Sequence, residues 1–64
     1  MRSDVSDYAL IVVRHTDLAV LVKEHEQAEP VWLPKSQIEL DHENTGPCIV
    51  TVPDWLAIEN GLAL

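Results

Sequence analysis

Residues 8–24 read YALIVVRHTDLAVLVKE, and this stretch decides the fold. Tyr8 to His15 is an apolar, β-branched run of strand length, and Leu18 to Glu24 is a second such run. Thr16-Asp17 between them supplies a turn, a weaker hairpin signal than Asn-Gly. Side chains alternate across a strand, so Leu18, Val20 and Val22 share one face of the second run and Ala19, Leu21 and Lys23 the other. A hairpin of this kind has one face to bury and needs a cover from the rest of the chain.

Beyond the hairpin the signals stay short. His25 to Glu29 (HEQAE) is a polar loop, and Val31 to Leu33 is a strand fenced by Pro30 and Pro34, which suits a sheet edge or a strand end. Lys35-Ser36-Gln37 reads as a turn. Ile38-Glu39-Leu40-Asp41 alternates apolar and acidic residues, and Asp41 to Pro47 (DHENTGP) is a loop by every local criterion. Cys48 to Val52 (CIVTV) is rich in β-branched residues and reads as strand.

The C-terminal segment differs in kind. Pro53 suits the first position of a helix and Asp54 complements the dipole of the first turn. Trp55, Leu56, Ile58 and Leu62 form an apolar face with Glu59 outside, and Asn60-Gly61 is a stop, Gly61 taking the left-handed C′ position. A helix of about eight residues is marginal alone. Packing of Trp55 and Leu56 onto the sheet must therefore hold it as a lid, with Trp32 as a second aromatic anchor of the core. The fold expected is α+β and mostly β: a small bent antiparallel sheet of four or five short strands, strongly bent or partly barrel-like, with one short C-terminal helix. Residues 1–64 are read as a single compact domain.

Size constrains what such a domain can do. A 64-residue chain belongs to the range where one core rarely supplies more than about 3–5 kcal/mol. The single cysteine, Cys48, cannot form an internal disulfide. The hydrophobic share of 47% is ordinary for a globular chain and argues against disorder. No apolar run approaches the roughly 20 residues of a membrane span. Met1-Arg2-Ser3-Asp4 followed by further acid does not resemble a secretory signal, so an intracellular, reducing setting is expected.

Catalytic and metal chemistry find little to work with. His15, His25, His42 and Cys48 are the only soft or borderline ligands, and none stands at helical i, i+3 or i, i+4 spacing. Cys48 starts an apolar strand in an acidic chain, the opposite of the electropositive setting that activates a thiol. The only glycines, Gly46 and Gly61, exclude a glycine-rich phosphate loop. No catalytic residue, metal or cofactor is expected, and a small hydrolase-like or metal enzyme is the reading with least behind it.

Charge carries more information. Eleven acids stand against four bases, a net −7. Residues 1–23 balance Asp4, Asp7 and Asp17 against Arg2, Arg14 and Lys23, so the whole excess lies in residues 24–64, where Lys35 is the lone base. Direct attraction to nucleic acid or anionic lipid is disfavoured, because phosphate binding needs a basic footprint. Glu24 and Glu26, with Glu29 three residues on, make one acidic row; Glu39, Asp41 and Glu43 make another. In extended chain, alternate carboxylates project on one face about 6.6–6.8 Å apart, of the order of successive phosphates along a strand. Two such rows flanking Val31–Leu33 would form a negative ridge suited to a basic groove. As a solvated face they would instead confer solubility and protect sheet edges.

Two segments, Val31 to Leu40 (VWLPKSQIEL) and Thr51 to Leu62 (TVPDWLAIENGL), resemble a small domain of phage and mobile-element proteins. The whole chain, small and acidic, resembles the DNA-mimicking anti-CRISPR proteins encoded by phages, most of all an inhibitor of subtype I-C systems. The resemblance implies action in the cytoplasm of a bacterial host, as a non-enzymatic monomer or weak dimer. It also implies a mode of action. The acids Glu24, Glu26, Glu29, Glu39, Asp41 and Glu43 would occupy the basic DNA-binding surface of a type I surveillance (Cascade) complex, on its large PAM-reading subunit, and block target DNA binding. A different class of function, a structural or protein-interaction module that binds its partner through an apolar sheet face, is compatible with the same residues.

Overall fold

The computed structural model describes residues 4–62. Five strands, β1 (Val5–His15), β2 (Ala19–Lys23), β3 (Val31–Pro34), β4 (Glu39–Leu40) and β5 (Gly46–Pro53), are followed by one helix, α1 (Asp54–Glu59). The architecture is α+β and mostly β. A single curled sheet runs in the order β3-β2-β1-β5-β4, antiparallel throughout. β1 is central: its residues 11–15 pair with β2 and its residues 5–12 with β5.

Period-two patterning sets which side of this sheet is dry. Leu10 and Val12 on β1, Val20 and Val22 on β2, Leu33 on β3, and Cys48, Val50 and Val52 on β5 all point to the inner side and are buried. Tyr8, Val31, Ile38 and Leu40 pack around their margin. Fully burying a Val or Leu side chain stabilises by about 1.5–3 kcal/mol, so this inner layer supplies the folding energy. α1 closes it through Leu56 and Ala57, with Leu62 just beyond.

The first hairpin forms as expected, with a longer turn. Thr16 N–H donates to Ala19 O at 2.9 Å and Ala19 N–H donates to Thr16 Oγ1 at 3.0 Å. This bonding takes Leu18 into the turn, so Leu18 is 81% exposed and does not share the buried face of Val20 and Val22. Along the hairpin, Val12 pairs with Val22 but Arg14 pairs with Leu21, leaving Val13 as the extra residue of a β-bulge. The bulge shifts the side-chain alternation by one. His15, opposite Val20, therefore faces the inner side, while Arg14, opposite Leu21, faces outward.

Two further expectations are corrected. Trp55 is 55% exposed and Trp32 is 46% exposed, so neither anchors the core. Trp32 pairs with Leu21 on the outer side of the sheet, since Leu33 takes the inward position on this short strand. On α1 the buried arc is Leu56, Ala57 and Leu62, with Ile58 left outside. The reason is the helix start. Pro53 is the N-cap, with ψ 142° still extended, and helix begins one residue later at Asp54, whose N–H donates to Asp4 O at 2.7 Å. The helix stops as expected: Gly61 has φ +75° and Leu62 N–H donates to Ala57 O at 2.7 Å. Lys35–Gln37 forms a 3-10 turn that leads from β3 toward β4.

Candidate functional site

The six acids singled out in the sequence fall into two groups. Glu24, Glu26 and Glu29 lie on the connection between β2 and β3, Glu24 half-buried and the other two exposed. Glu39 lies on β4, with Asp41 and Glu43 in the loop that follows, all three exposed. β3 and β4 stand at the two ends of the strand order and do not pair with each other, so the two rows are not carried on adjacent paired strands. Local alternation gives the spacing within a strand, whereas the placement of one strand beside another is decided by long-range pairing.

Each row also has an internal interruption. Lys23 Nζ donates to Glu26 O at 3.0 Å and stands 3.6 Å from Glu26 Oε1, so the start of the first row carries its own counter-charge. In the second, strand geometry ends at Leu40, and Glu43 turns toward the end of the sheet. There Lys35 Nζ donates to its carboxylate at 3.4 Å, and His15 Nδ1 lies 3.8 Å from the same oxygen. Lys35, the lone base of the acidic stretch, thus neutralises Glu43 and ties the segment after β3 to the loop after β4.

A third acid completes the β4 edge. Register aligns Glu39 with Thr51 and Thr51 with Asp7 across β4, β5 and β1. Thr51 Oγ1 donates to Asp7 Oδ1 at 2.6 Å. Asp7, Glu39 and Asp41 with Leu40, Ile49 and Thr51 line one shallow groove of about 330 Å³. Asp7 has no acidic neighbour in register in the sequence, and only the β1–β5 pairing brings it here.

Beside this groove the outer side of the sheet is apolar. Ala9 pairs with Ile49 and Ile11 with Pro47. With Asp41 and His42 these four line a depression of about 390 Å³. Ile49 is 45% exposed although it lies mid-strand. Farther along, Ile11 pairs with Lys23 and Arg14 with Leu21, so the acidic end, the apolar middle and a basic end follow one another along β1.

His15, His42 and the cysteine serve the loop between β4 and β5. Asn44 N–H donates to His42 Nδ1 at 3.1 Å, which places the ring proton on Nε2, and Nε2 donates to Pro47 O at 3.1 Å. His15 Nε2 donates to Asn44 O at 3.4 Å, while its buried Nδ1 has no hydrogen-bond partner among the described residues. Cys48 is buried, its thiol against the carbonyl oxygens of His42 and Ile49 at 3.7 and 3.5 Å. Among the described residues no group of three or more His, Cys, Asp or Glu side chains converges as a metal site, and no helix is long and apolar enough to cross a membrane.

The surface therefore defines the chain as a small β-sheet domain with carboxylates concentrated at one sheet edge and on one connection, beside an apolar outer face. Comparison with protein-family models, with curated proteins and with solved structures finds no match.

Proposed function

We propose that the protein is a non-enzymatic inhibitor that presents carboxylates as phosphate surrogates to the basic DNA-binding surface of a type I CRISPR–Cas surveillance complex. The subtype I-C target and its large PAM-reading subunit follow from the family resemblance. The observation that carries the reading is the confinement of the −7 net charge to residues 24–64, together with the exposure of Glu26, Glu29, Glu39, Asp41 and Glu43. Carboxylates held at a strand edge and on a short connection offer a basic groove two contact regions, and charge complementarity speeds encounter and fixes register. Opposed Lys and Arg side chains are the partners such a surface selects.

Two charge-reversal variants test this reading: Glu24→Lys with Glu29→Lys, and Glu39→Lys with Asp41→Lys. Glu43 is spared because Lys35 and His15 face it. Each pair leaves the core untouched. Titration of purified I-C surveillance complex, with circular dichroism confirming the fold, should show weaker binding by each variant and weaker wild-type binding as salt rises. Target DNA should compete with the wild-type protein. Equal binding by all three proteins, insensitive to salt, refutes phosphate mimicry. The reading as a module that binds through an apolar face draws support from the exposed Ile49, Ala9 and Pro47 on the outer side of the sheet.

A further inference from the structure

We infer that the N-terminal half of β1 takes up an extended, lysine- or arginine-bearing strand of a partner protein along its open backbone edge. The phase of the backbone hydrogen bonds shows where that edge lies. Asp54 N–H donates to Asp4 O at 2.7 Å, and the register runs on from there through Ser6–Val52, Tyr8–Val50 and Leu10–Cys48. Alternate residues of an antiparallel strand bond to the same neighbour, so Ser6, Tyr8 and Leu10 turn their N–H and C=O groups toward β5. Val5, Asp7, Ala9 and Ile11 turn theirs to the other side. There Ile11 meets Lys23, the last residue of β2. Val5, Asp7 and Ala9 lie beyond the end of β2, and no strand pairs with them on that side. No turn or loop backbone group bonds to them among the described residues, and Asp7 and Ala9 are exposed.

The strands at the two ends of the order offer less. Lys35 N–H donates to Leu18 O at 2.8 Å, and the same phase commits Leu33 and Val31 to β2. Trp32 is left facing outward between Pro30 and Pro34, neither of which carries an N–H. On β4, Asp41 N–H donates to Ile49 O at 3.0 Å, so Leu40 alone of this 2-residue strand faces outward. Val5 to Ala9 contains neither a proline nor the bulge, which lies at Val13. An unblunted run of unpaired strand backbone is a template for strand addition.

Charge selects the occupant. Asp7 is central in the open run, and its carboxylate has only the Thr51 hydroxyl as a partner. The connection carrying Glu24, Glu26 and Glu29 leaves the sheet at Lys23, where the added strand would meet the end of β2. Directly opposed residues of an antiparallel pair stand about 4.5–5.5 Å apart at Cβ, where opposite charges attract and like charges repel. A Lys or Arg opposite Asp7 therefore fits and an acid does not. A second copy of this chain would bring a further −7 to the same place. The inference rests on reading these acids as a surface for basic groups, and it adds the backbone edge that would hold the partner in register.

Hydrogen exchange followed by nitrogen-15 spectra tests it. In the free chain the amides of Asp7 and Ala9 should exchange roughly tenfold or more faster than those of Tyr8 and Leu10, which face β5. An end-capped synthetic peptide of alternating Val and Lys should bind and slow exchange at Asp7 and Ala9. The matching Val and Glu peptide should not, nor should the Val and Lys peptide N-methylated at its Lys residues, which has lost the donors for this edge. Asp7→Lys, at an exposed position, should keep the circular dichroism spectrum and weaken the Val and Lys peptide roughly threefold or more. Slow exchange at Asp7 and Ala9 in the free chain, no binding by the Val and Lys peptide, equal binding of the Lys and Glu peptides, or binding indifferent to N-methylation would each overturn the proposal. The peptides involve no surveillance complex, so these outcomes are distinct from those of the charge-reversal titration.

Discussion

Replacing Trp55 by Ala should cost little, whereas replacing its neighbour Leu56 by Ala should unfold the domain. Trp55 keeps 55% of its surface exposed. Of the ~250 Å² that a tryptophan can bury, about 110 Å² is covered here, and an alanine would itself cover part of that. A net loss of ~60 Å² at about 25 cal/mol per Å² is about 1.5 kcal/mol. The better helix propensity of alanine returns about 0.5 kcal/mol, leaving about 1 kcal/mol. Leu56 is 5% exposed and packs in the core with Ala57 and Leu62. Its truncation should cost about 2–5 kcal/mol, against the about 3–5 kcal/mol that a core this small supplies. Urea denaturation followed by far-ultraviolet circular dichroism separates the two. With a slope near 1 kcal/mol per molar urea, Trp55→Ala should lower the midpoint by about 1 M, while Leu56→Ala should show no cooperative transition. A folded Leu56→Ala with an unmoved midpoint, or an unfolded Trp55→Ala, would refute the assignment of the buried helix arc.

Gly61→Ala should destabilise by about 1 kcal/mol in the same assay, because φ +75° disfavours a side chain even though a Cβ there would meet nothing within 4 Å; an unchanged midpoint would contradict the helix stop. For His42, long-range nitrogen-15 spectra at neutral pH should show the Nε2–H tautomer, since Nδ1 accepts from Asn44 N–H. A proton found on Nδ1 would break the proposed bonding of the loop between β4 and β5.

How much of this was legible in the sequence depends on the distance over which each feature is decided. Strand and helix existence is local: β-branched runs mark β1, β2 and β5, flanking prolines mark β3, alternation marks β4 and the Pro53-Asp54 start marks α1, although β1 and β5 run longer than their apolar centres and the turn read at Lys35–Gln37 is a 3-10 helix. Side-chain direction was legible only where alternation is unbroken. The bulge at Val13 re-aims His15 and Arg14, and a bulge inserts one residue without any composition of its own. The two tryptophans lie outside the core for a related reason. Size and apolarity favour the core, but position on the strand or helix decides it, and Leu33 and Leu56 hold the inward positions beside them. For the acidic surface, residue identities were visible while their grouping was not. Asp7 joins Glu39 only through pairing of chain segments far apart in sequence, and Glu43 leaves its row because strand geometry ends at Leu40, after which Lys35 lies beside it.

The central position of β1 has a kinetic consequence. β2 returns to β1 through a short turn, so that hairpin can close within microseconds. β5, which covers the other flank of β1, is the last strand of the described chain. During synthesis the inner sides of Leu10 and Val12 therefore wait, uncovered, until nearly the whole domain has been made. Closing the sheet must bring distant segments together before their contacts repay the lost chain entropy, which slows folding relative to helical chains of this size. The nascent hairpin is thus the species most exposed to aggregation, and the acidic connection of residues 24–29 is the next segment to follow it out of the ribosome, where its charge keeps unfinished chains apart.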